Sequence, residues 1–407
     1  MRAESDRNEW RDGWFVVACA VLGIGVSQMH YSSLGFMIGP IERDLGWSRS
    51  QITSATLILS MLAVISPFAG RVIDRYDERL VGLPGIACYC GCFALLSQAG
   101  PGLGTWWAIW AALACACPFA SFIFWTTVIA RRFDRHRGLA LATALCGTAV
   151  AAIVMPTLTH LLIDRYGWRG TYLWLGLGSA LILLPLAFAA LTICARRGAT
   201  TARQVSQGSW TELLTSPQFI RIAFAGSVMG VTGTAIAIHF IPLLLEQGVS
   251  AETAAIAAGL TGVGAIVGRM VTGYLLDRSR RPLIGALGFA LPMIPCALLL
   301  GVEPAPALAL AVGLLLGLSS GAEIDVLSYF SSRYFGVARY GAAFGAVFAI
   351  AGFSNGFGPW LAGMSYDATG SYTFMLTIII PLAALAALSL MTLGAYPVEP
   401  EASEAGT

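Results

Sequence analysis

The chain has 407 residues, 57% of them apolar and only 11% charged, which excludes an ordinary soluble domain and suits a protein built in lipid. The net charge of +2 decides little, because in a membrane protein the placement of charge matters more than its sum, and it gives no sign of a nucleic-acid partner. Lysine is absent throughout, so a Walker-type phosphate loop and a lysine Schiff base are excluded.

In chain order, a charged tail with Arg2, Arg7 and Arg11 precedes the first apolar stretch, which is too long for a signal core and is expected to stay. Apolar runs of about 20 residues, the length a hydrocarbon core demands, predict twelve spans. They fall at 13 to 39, 48 to 70, 81 to 100, 104 to 130, 138 to 163, 169 to 195, 219 to 246, 252 to 276, 283 to 301, 305 to 330, 341 to 364 and 371 to 395. A polar linker, 196 to 217, divides the chain, and the acidic tail 397 to 407 is expected to be disordered. The domains expected are thus an amino-terminal six-helix bundle, 1 to 195, and a carboxy-terminal one, 218 to 396.

Nineteen of the arginines lie in the amino-terminal tail and in alternate connections, while the intervening connections hold only Arg43, Arg49, Arg165 and Arg169. By the positive-inside rule both termini and the middle linker face the cytoplasm.

Six residues return 203 positions later. Gly70, Asp74 and Arg75 in "GRVIDR" come back as Gly273, Asp277 and Arg278 in "GYLLDR"; Gly138 returns as Gly341, Pro156 as Pro359 and Asp164 as Asp367. The chain is a tandem duplication, and two related membrane-embedded halves facing a central site point to transport.

Other patterns lead nowhere chemical. "GLSSG" at 317 to 321 fits a nucleophile elbow but sits inside an apolar span, not at a strand-to-helix turn. Nine cysteines include Cys88, Cys90 and Cys92 in one span and Cys115 and Cys117 in the next. Residues two apart on a helix point to nearly opposite sides, so they read as small packing residues; neither a metal site nor a disulfide is expected.

Twelve spans, a cytoplasmic middle loop and G-x-x-x-D-R between spans 2 and 3 and again between spans 8 and 9 resemble the major facilitator superfamily over the whole chain. The resemblance implies an all-α membrane protein of two pseudo-symmetric bundles, with no enzymatic activity and no cofactor. It also implies that Gly70, Asp74, Arg75, Gly273, Asp277 and Arg278 act in conformational gating. Asp77 stands where a glycine is usual in the signature, and Glu78 where a basic residue is usual.

"RDGWFVV" (Arg11 to Val17) and "RRFDRHRGLALATALCG" (Arg131 to Gly147) resemble the monocarboxylate porter group, which includes bacterial oxalate and formate exchangers. Arg269 occupies the place of that group's carboxylate-binding arginine. The group's aspartate one turn earlier is replaced by Ala265, its span 1 lysine falls near Ser32, and the second span 11 cation of dicarboxylate exchangers is missing near Ala351. One fixed cation suits one carboxylate.

Arg269 lies eight residues before Asp277, about 12 Å up the helix, and an arginine near mid-bilayer faces a cavity or a partner. It is read as binding the substrate anion or as a structural ion pair; its repeat counterpart is Ser66. Glu323 and Asp325 in span 10 are candidates for proton coupling or for structural contacts. At 100° per residue they point about 200° apart, so at most one faces a central cavity. His30 and His239 are candidate ligands of a carboxylate or ordinary buried histidines, and Tyr31, Tyr329 and Asn355 offer neutral donors.

The expected function is secondary transport of small organic anions, monocarboxylates foremost, by alternating access with proton symport or anion exchange. The expected setting is a bacterial cytoplasmic membrane, and the expected partners are a small carboxylate, a proton or counter-anion, and the bilayer, with the carrier a monomer. Proton-coupled efflux of amphipathic compounds is the alternative, although "GTAVAAIVMP" in span 5 lacks the glycine-proline signature of many drug-proton antiporters. A non-transporting sensor is a second alternative, opposed by the lack of a soluble signalling domain.

Overall fold

The computed structural model describes residues 2–62, 66–133, 136–194, 210–279, 281–302, 305–394 and 396. Within them the first half comprises α1 (Arg2–Ser27), α2 (Met29–Ser32), α3 (Leu34–Leu45), α4 (Arg49–Leu62), α5 (Ser66–Arg75), α6 (Glu78–Leu95), α7 (Leu103–Ala120), α8 (Phe122–Arg132) and α9 (Arg137–Cys194). The second half comprises α10 (Trp210–Thr215), α11 (Pro217–Glu246), α12 (Ala251–Arg278), α13 (Leu283–Ala290), α14 (Met293–Gly301), α15 (Pro306–Ser354), α16 (Phe357–Thr369) and α17 (Thr373–Met391). Helix is what lipid allows an apolar segment with no strand partner, since every backbone polar group is then satisfied internally.

Nine helical stretches among the described residues are long and apolar enough to cross a membrane. One of them, Arg137–Thr192, reverses at Gly167, where φ is +67°. Gly13–Ser27 is a shorter apolar helix; with α4 and α5 the set is consistent with the twelve expected spans. Gly370, 203 positions later, also takes a positive φ, +68°, but its ψ of 13° against 177° at Gly167 makes the two turns different.

Span 1, read as one helix, is broken twice. The Tyr31 amide bonds Gln28 O, so Ser27 O has no helical partner and accepts from the Tyr89 hydroxyl at 2.8 Å. Ser33 then bonds its hydroxyl back to Met29 O at 2.6 Å, a local competitor of the helix ladder. Broken backbone at membrane depth is tolerated where it lines a cavity, and α2 does so. Span 9 is likewise split, at Leu291 and Pro292, into α13 and α14. Part of the expected linker is helical, as α10, and residues 195–209 and 397–407 lie outside the described residues.

The cores differ between halves. The first half has one continuous cluster rich in large rings, among them Tyr89, Phe93, Trp106, Trp110, Phe124 and Trp125. The second has two clusters, one around Phe240, Leu244 and Met375, the other around Phe219, Phe289 and Phe330. Between these two clusters α12 and α15 meet through small residues.

That contact has a strict register. A methyl group on Gly313 would collide with Ala257 O, one on Gly317 with Thr261 O, and one on Gly321 with Ala265 O. Each pair is 56 positions apart and both members rise together, so the helices run parallel. Lipid gives no hydrophobic drive to helix pairing; close backbone approach at small residues supplies the attraction instead. One step further along the register stand Arg269 and Asp325.

Candidate functional site

A cavity of about 160 Å³ lies between the halves, and Glu323 is the charged side chain in its lining. Tyr31 and Ser32 of α2 form one wall; Thr232, Gly233 and Phe240 of α11, Thr261 of α12 and Ser319 and Ser320 of α15 form the others. The Glu323 carboxylate stands beside Gly233, within 3.8 Å of where a Cβ would sit. No hydrogen bond or ion pair engages Glu323 among the described residues.

Asp325, two positions on, turns to α12. Its Oδ2 lies 3.2 Å from Arg269 Nε, an ion pair whose alignment falls short of a hydrogen bond, since that buried Nε has no hydrogen-bond partner. Both side chains remain about one-third exposed. Arg269 is outside the cavity lining, about 3 Å further along the bundle than Glu323 because it is level with Asp325.

The other candidates are dispersed. Tyr31 lines the cavity, whereas His30 next to it points into the first-half core, its Nδ1–H donating to the Tyr89 oxygen at 2.9 Å; Tyr89 has already given its proton to Ser27 O. The Tyr329 hydroxyl donates to Leu276 O of α12 at 3.1 Å. Asn355 sits where α15 gives way to α16, and its carbonyl accepts from the Thr234 hydroxyl at 2.7 Å. None of these three lines the cavity.

His239 belongs to a different assembly at the end of the bundle remote from the G-x-x-x-D-R signatures. There Arg49, buried at the start of α4, is held from both halves. Its Nη2 meets Glu246 at 2.8 Å, its Nε meets Glu42 at 3.3 Å, and its Nη1 donates to the Tyr372 hydroxyl at 2.7 Å. Its guanidinium lies 3.6 Å over the Tyr366 ring. The Tyr372 hydroxyl, accepting from Arg49, donates a hydrogen bond to His239 Nδ1 at 2.8 Å, so Nε2 carries the hydrogen that Pro359 O accepts at 2.9 Å.

Asp367 completes the cluster by accepting from the backbone amides of Arg49 and Ser50 at 3.1 and 3.0 Å. A carboxylate from α16 thereby caps the start of α4, where the helix dipole favours negative charge. Further along α4, Thr56 donates to Gly356 O and Ser60 to Gly352 O. The halves are latched along this helix.

Sequence reading singled out Asp367 as a repeat member and His239 as a ligand candidate but missed Arg49 and its cluster. Its partners Asp367 and Tyr372, more than 300 positions away, leave no local signal. The α12–α15 register did leave one, glycine at every fourth position of span 10, from Gly313 to Gly321.

At the opposite end the signatures stand open. A Cβ on Gly70 or Gly273 would meet nothing within 4 Å among the described residues, so these glycines make no close helix contact there in this conformation. Arg75 and Asp277 are exposed, and Arg278 lies over its own helix neighbour Tyr274 at 3.6 Å. The Asp74 side chain lies outside the described residues. Where the signature departs from the usual pattern, the substitutes have work. Asp77 is the N-cap of α6, accepting from Arg79 N at 2.8 Å, and Glu78 receives Arg131 at 3.0 Å. The backbone amide of Arg79 holds the Asp77 carboxyl below its ordinary value of 3.8.

The model of the Major Facilitator Superfamily matches residues 20–324. The chain belongs to that superfamily. The chain is similar to the uncharacterized MFS-type transporter YcxA of Bacillus subtilis (strain 168), with 26% identity over 396 residues covering 94% of this chain and 95% of that one. It is also similar to monocarboxylate transporter 11 of Homo sapiens, with 27% identity over 385 residues covering 89% and 78%. In fold it matches a bacterial homolog of the human lysosomal transporter Spinster, crystallised inward-facing and unoccupied. The TM-score is 0.74 at 13% identity, over 94% of this chain and 98% of that one. Major facilitator membership, the nearly all-helical structure and the apolar helices make it an integral, multi-pass membrane transporter.

Proposed function

We propose that this carrier moves small monocarboxylates across a bacterial cytoplasmic membrane by alternating access, with proton symport or anion exchange. The moving bodies are residues 1 to 195 and 218 to 396, joined by 196 to 217. With the signatures on the cytoplasmic side, the latched end faces out and the conformation described is open inward.

The observation that supports this reading best is Glu323, a carboxyl without a partner in the cavity wall and close in height to Arg269. An ionised Glu323 repels an arriving carboxylate by about 4 kcal/mol at 4 Å in a medium of effective dielectric 20. A protonated one donates a hydrogen bond to it. Proton and anion then bind together, and Arg269, whose nearest approach to Asp325 is through Nε, offers its terminal nitrogens to the substrate. Relatives named monocarboxylate transporters agree with this substrate class.

Uptake of labelled monocarboxylates into proteoliposomes tests it. Glu323→Gln is expected to lose uptake driven by a pH gradient while keeping exchange of labelled for unlabelled substrate, since exchange needs no return of the empty carrier. Unaltered pH-driven uptake in both Glu323→Gln and Asp325→Asn eliminates the acids as carriers. One observation favours a second reading, efflux of amphipathic cations: the charge in the cavity lining is negative. Competition by cations, with none by carboxylates, would select it.

A further inference from the structure

The two halves break different helices at the cavity. In the first half span 1 is first interrupted at Gln28, while span 3 runs unbroken through Tyr89 as α6. In the second half the counterpart of span 1, α11, is continuous, and span 9 is interrupted at Pro292. Pro292 stands 203 positions after Tyr89 and is its counterpart in the duplication. Both breaks reach the cavity, Tyr31 and Ser32 lining it just past the first and Pro292 at the second.

Each break frees a carbonyl that a hydroxyl from another span then meets. Proline has no N–H, so Gly288 O loses its helical partner and accepts from Ser319 of α15 at 3.2 Å. Ser27 O, left without the Tyr31 amide, accepts from Tyr89 at 2.8 Å. The causes differ. Pro292 imposes its own break, whereas Ser27 to Tyr31 contains neither glycine nor proline, so what keeps the Tyr31 amide and Ser27 O apart comes from outside span 1.

Tyr89 is placed to do this. It is fully buried in the first-half core and lies outside the cavity lining. The His30 Nδ1–H donates to its oxygen at 2.9 Å, which leaves the hydroxyl hydrogen for Ser27 O. A buried carbonyl with no donor costs about 1 to 3 kcal/mol, and the bond from Tyr89 removes that cost only while the helix stays broken.

We propose that Tyr89 is a positioning residue of the transport cavity, holding span 1 broken and thereby turning Tyr31 and Ser32 into the wall. The Gln28 and Tyr31 amides each bond three residues back, and such a turn advances about 60° more per three residues than an α-helix does. Restoring the helix at Tyr31 swings both side chains off the wall by about that angle. The inference concerns the shape of the cavity and stands apart from the monocarboxylate reading.

The test uses the full chain, purified in detergent, in a background without native cysteines. Ser32→Cys reports the wall through its rate of reaction with a charged maleimide, and Ser320→Cys, on α15, is the reference. Adding Tyr89→Phe is expected to slow reaction at position 32 several-fold and to leave position 320 unchanged. His30→Leu, which frees the Tyr89 hydroxyl to turn away, is expected to slow position 32 as well. His30→Asn, whose amide nitrogen takes the place of Nδ1, is expected to keep the parental rate. An unchanged rate at position 32 in Tyr89→Phe overturns the proposal, as does equal slowing at both positions, the mark of a general collapse of the cavity. If Tyr89→Phe gives no folded protein, the two His30 variants decide, and matching rates in them overturn it.

Discussion

Glu323 and Asp325 share a helix, a charge and a neighbourhood, yet one faces the cavity and the other faces α12. Helical geometry alone separates them, and it makes Arg269 a residue with two obligations, to Asp325 through Nε and to the proposed anion through its fork. Arg269→Lys is therefore expected to lose most transport at normal expression. An ammonium has no second parallel hydrogen bond to offer once Asp325 holds it. Binding and transport of carboxylates at the parental level by the lysine variant would remove Arg269 from the substrate site.

At the signature end, Asp77→Ala removes an N-cap and is expected to cost about 0.5 to 1 kcal/mol of stability, read as a lower melting temperature in detergent. Because the Asp77 carboxyl sits below its ordinary value of 3.8, the cap contributes fully above that value and fades as pH falls through the lowered one. The melting curves of parent and variant should therefore converge under strong acid. A gap that persists there means the loss has another cause.

Among the elements, the α12–α15 pair carries the firmest expectation. Gly317→Val places two methyl groups against Thr261 O and is expected to cut the yield of folded protein. Gly345→Ala, whose added methyl meets nothing within 4 Å among the described residues, is expected to behave as the parent. Equal yield and melting temperature for both would show that the register is not holding the helices.

How much of this was readable depends on range. Apolar length gave the spans, because lipid imposes it on each segment separately, and the 203-residue repeat gave the pairing of signatures. The 200° between Glu323 and Asp325 was readable for the same reason, as a property of one helix. The breaks in span 1 were not, since Ser27 O leaves the ladder for Tyr89, 62 positions away. His239 shows the limit best: its type and its span suggested a ligand, and only the fold reveals Tyr372 and Pro359 holding both ring nitrogens.

At the scale of the whole molecule the duplication is imperfect where it matters. Asp367 caps α4 from the opposite half, while its counterpart Asp164 is exposed beside His160, at 3.7 Å. The counterpart of Gly363, which lies against Ser50, is His160 itself. One seam between the halves is fastened by charge and the equivalent seam is not. Arg49→Gln is expected to loosen the fastened seam, so that a cysteine placed at Thr56, in a background without native cysteines, reacts with an impermeant maleimide several times faster. Unchanged labelling would show that Arg49 does not hold the end shut.

The cluster around Arg49 also makes the two directions of travel unequal. A solute arriving from the latched side meets a binding-competent carrier only in the fraction of molecules that have let go of Arg49. Its apparent dissociation constant is the intrinsic one divided by that fraction. Half-saturation measured from the latched side should exceed that from the signature side, and the ratio of the two reads out how rarely the empty protein turns to face the other way.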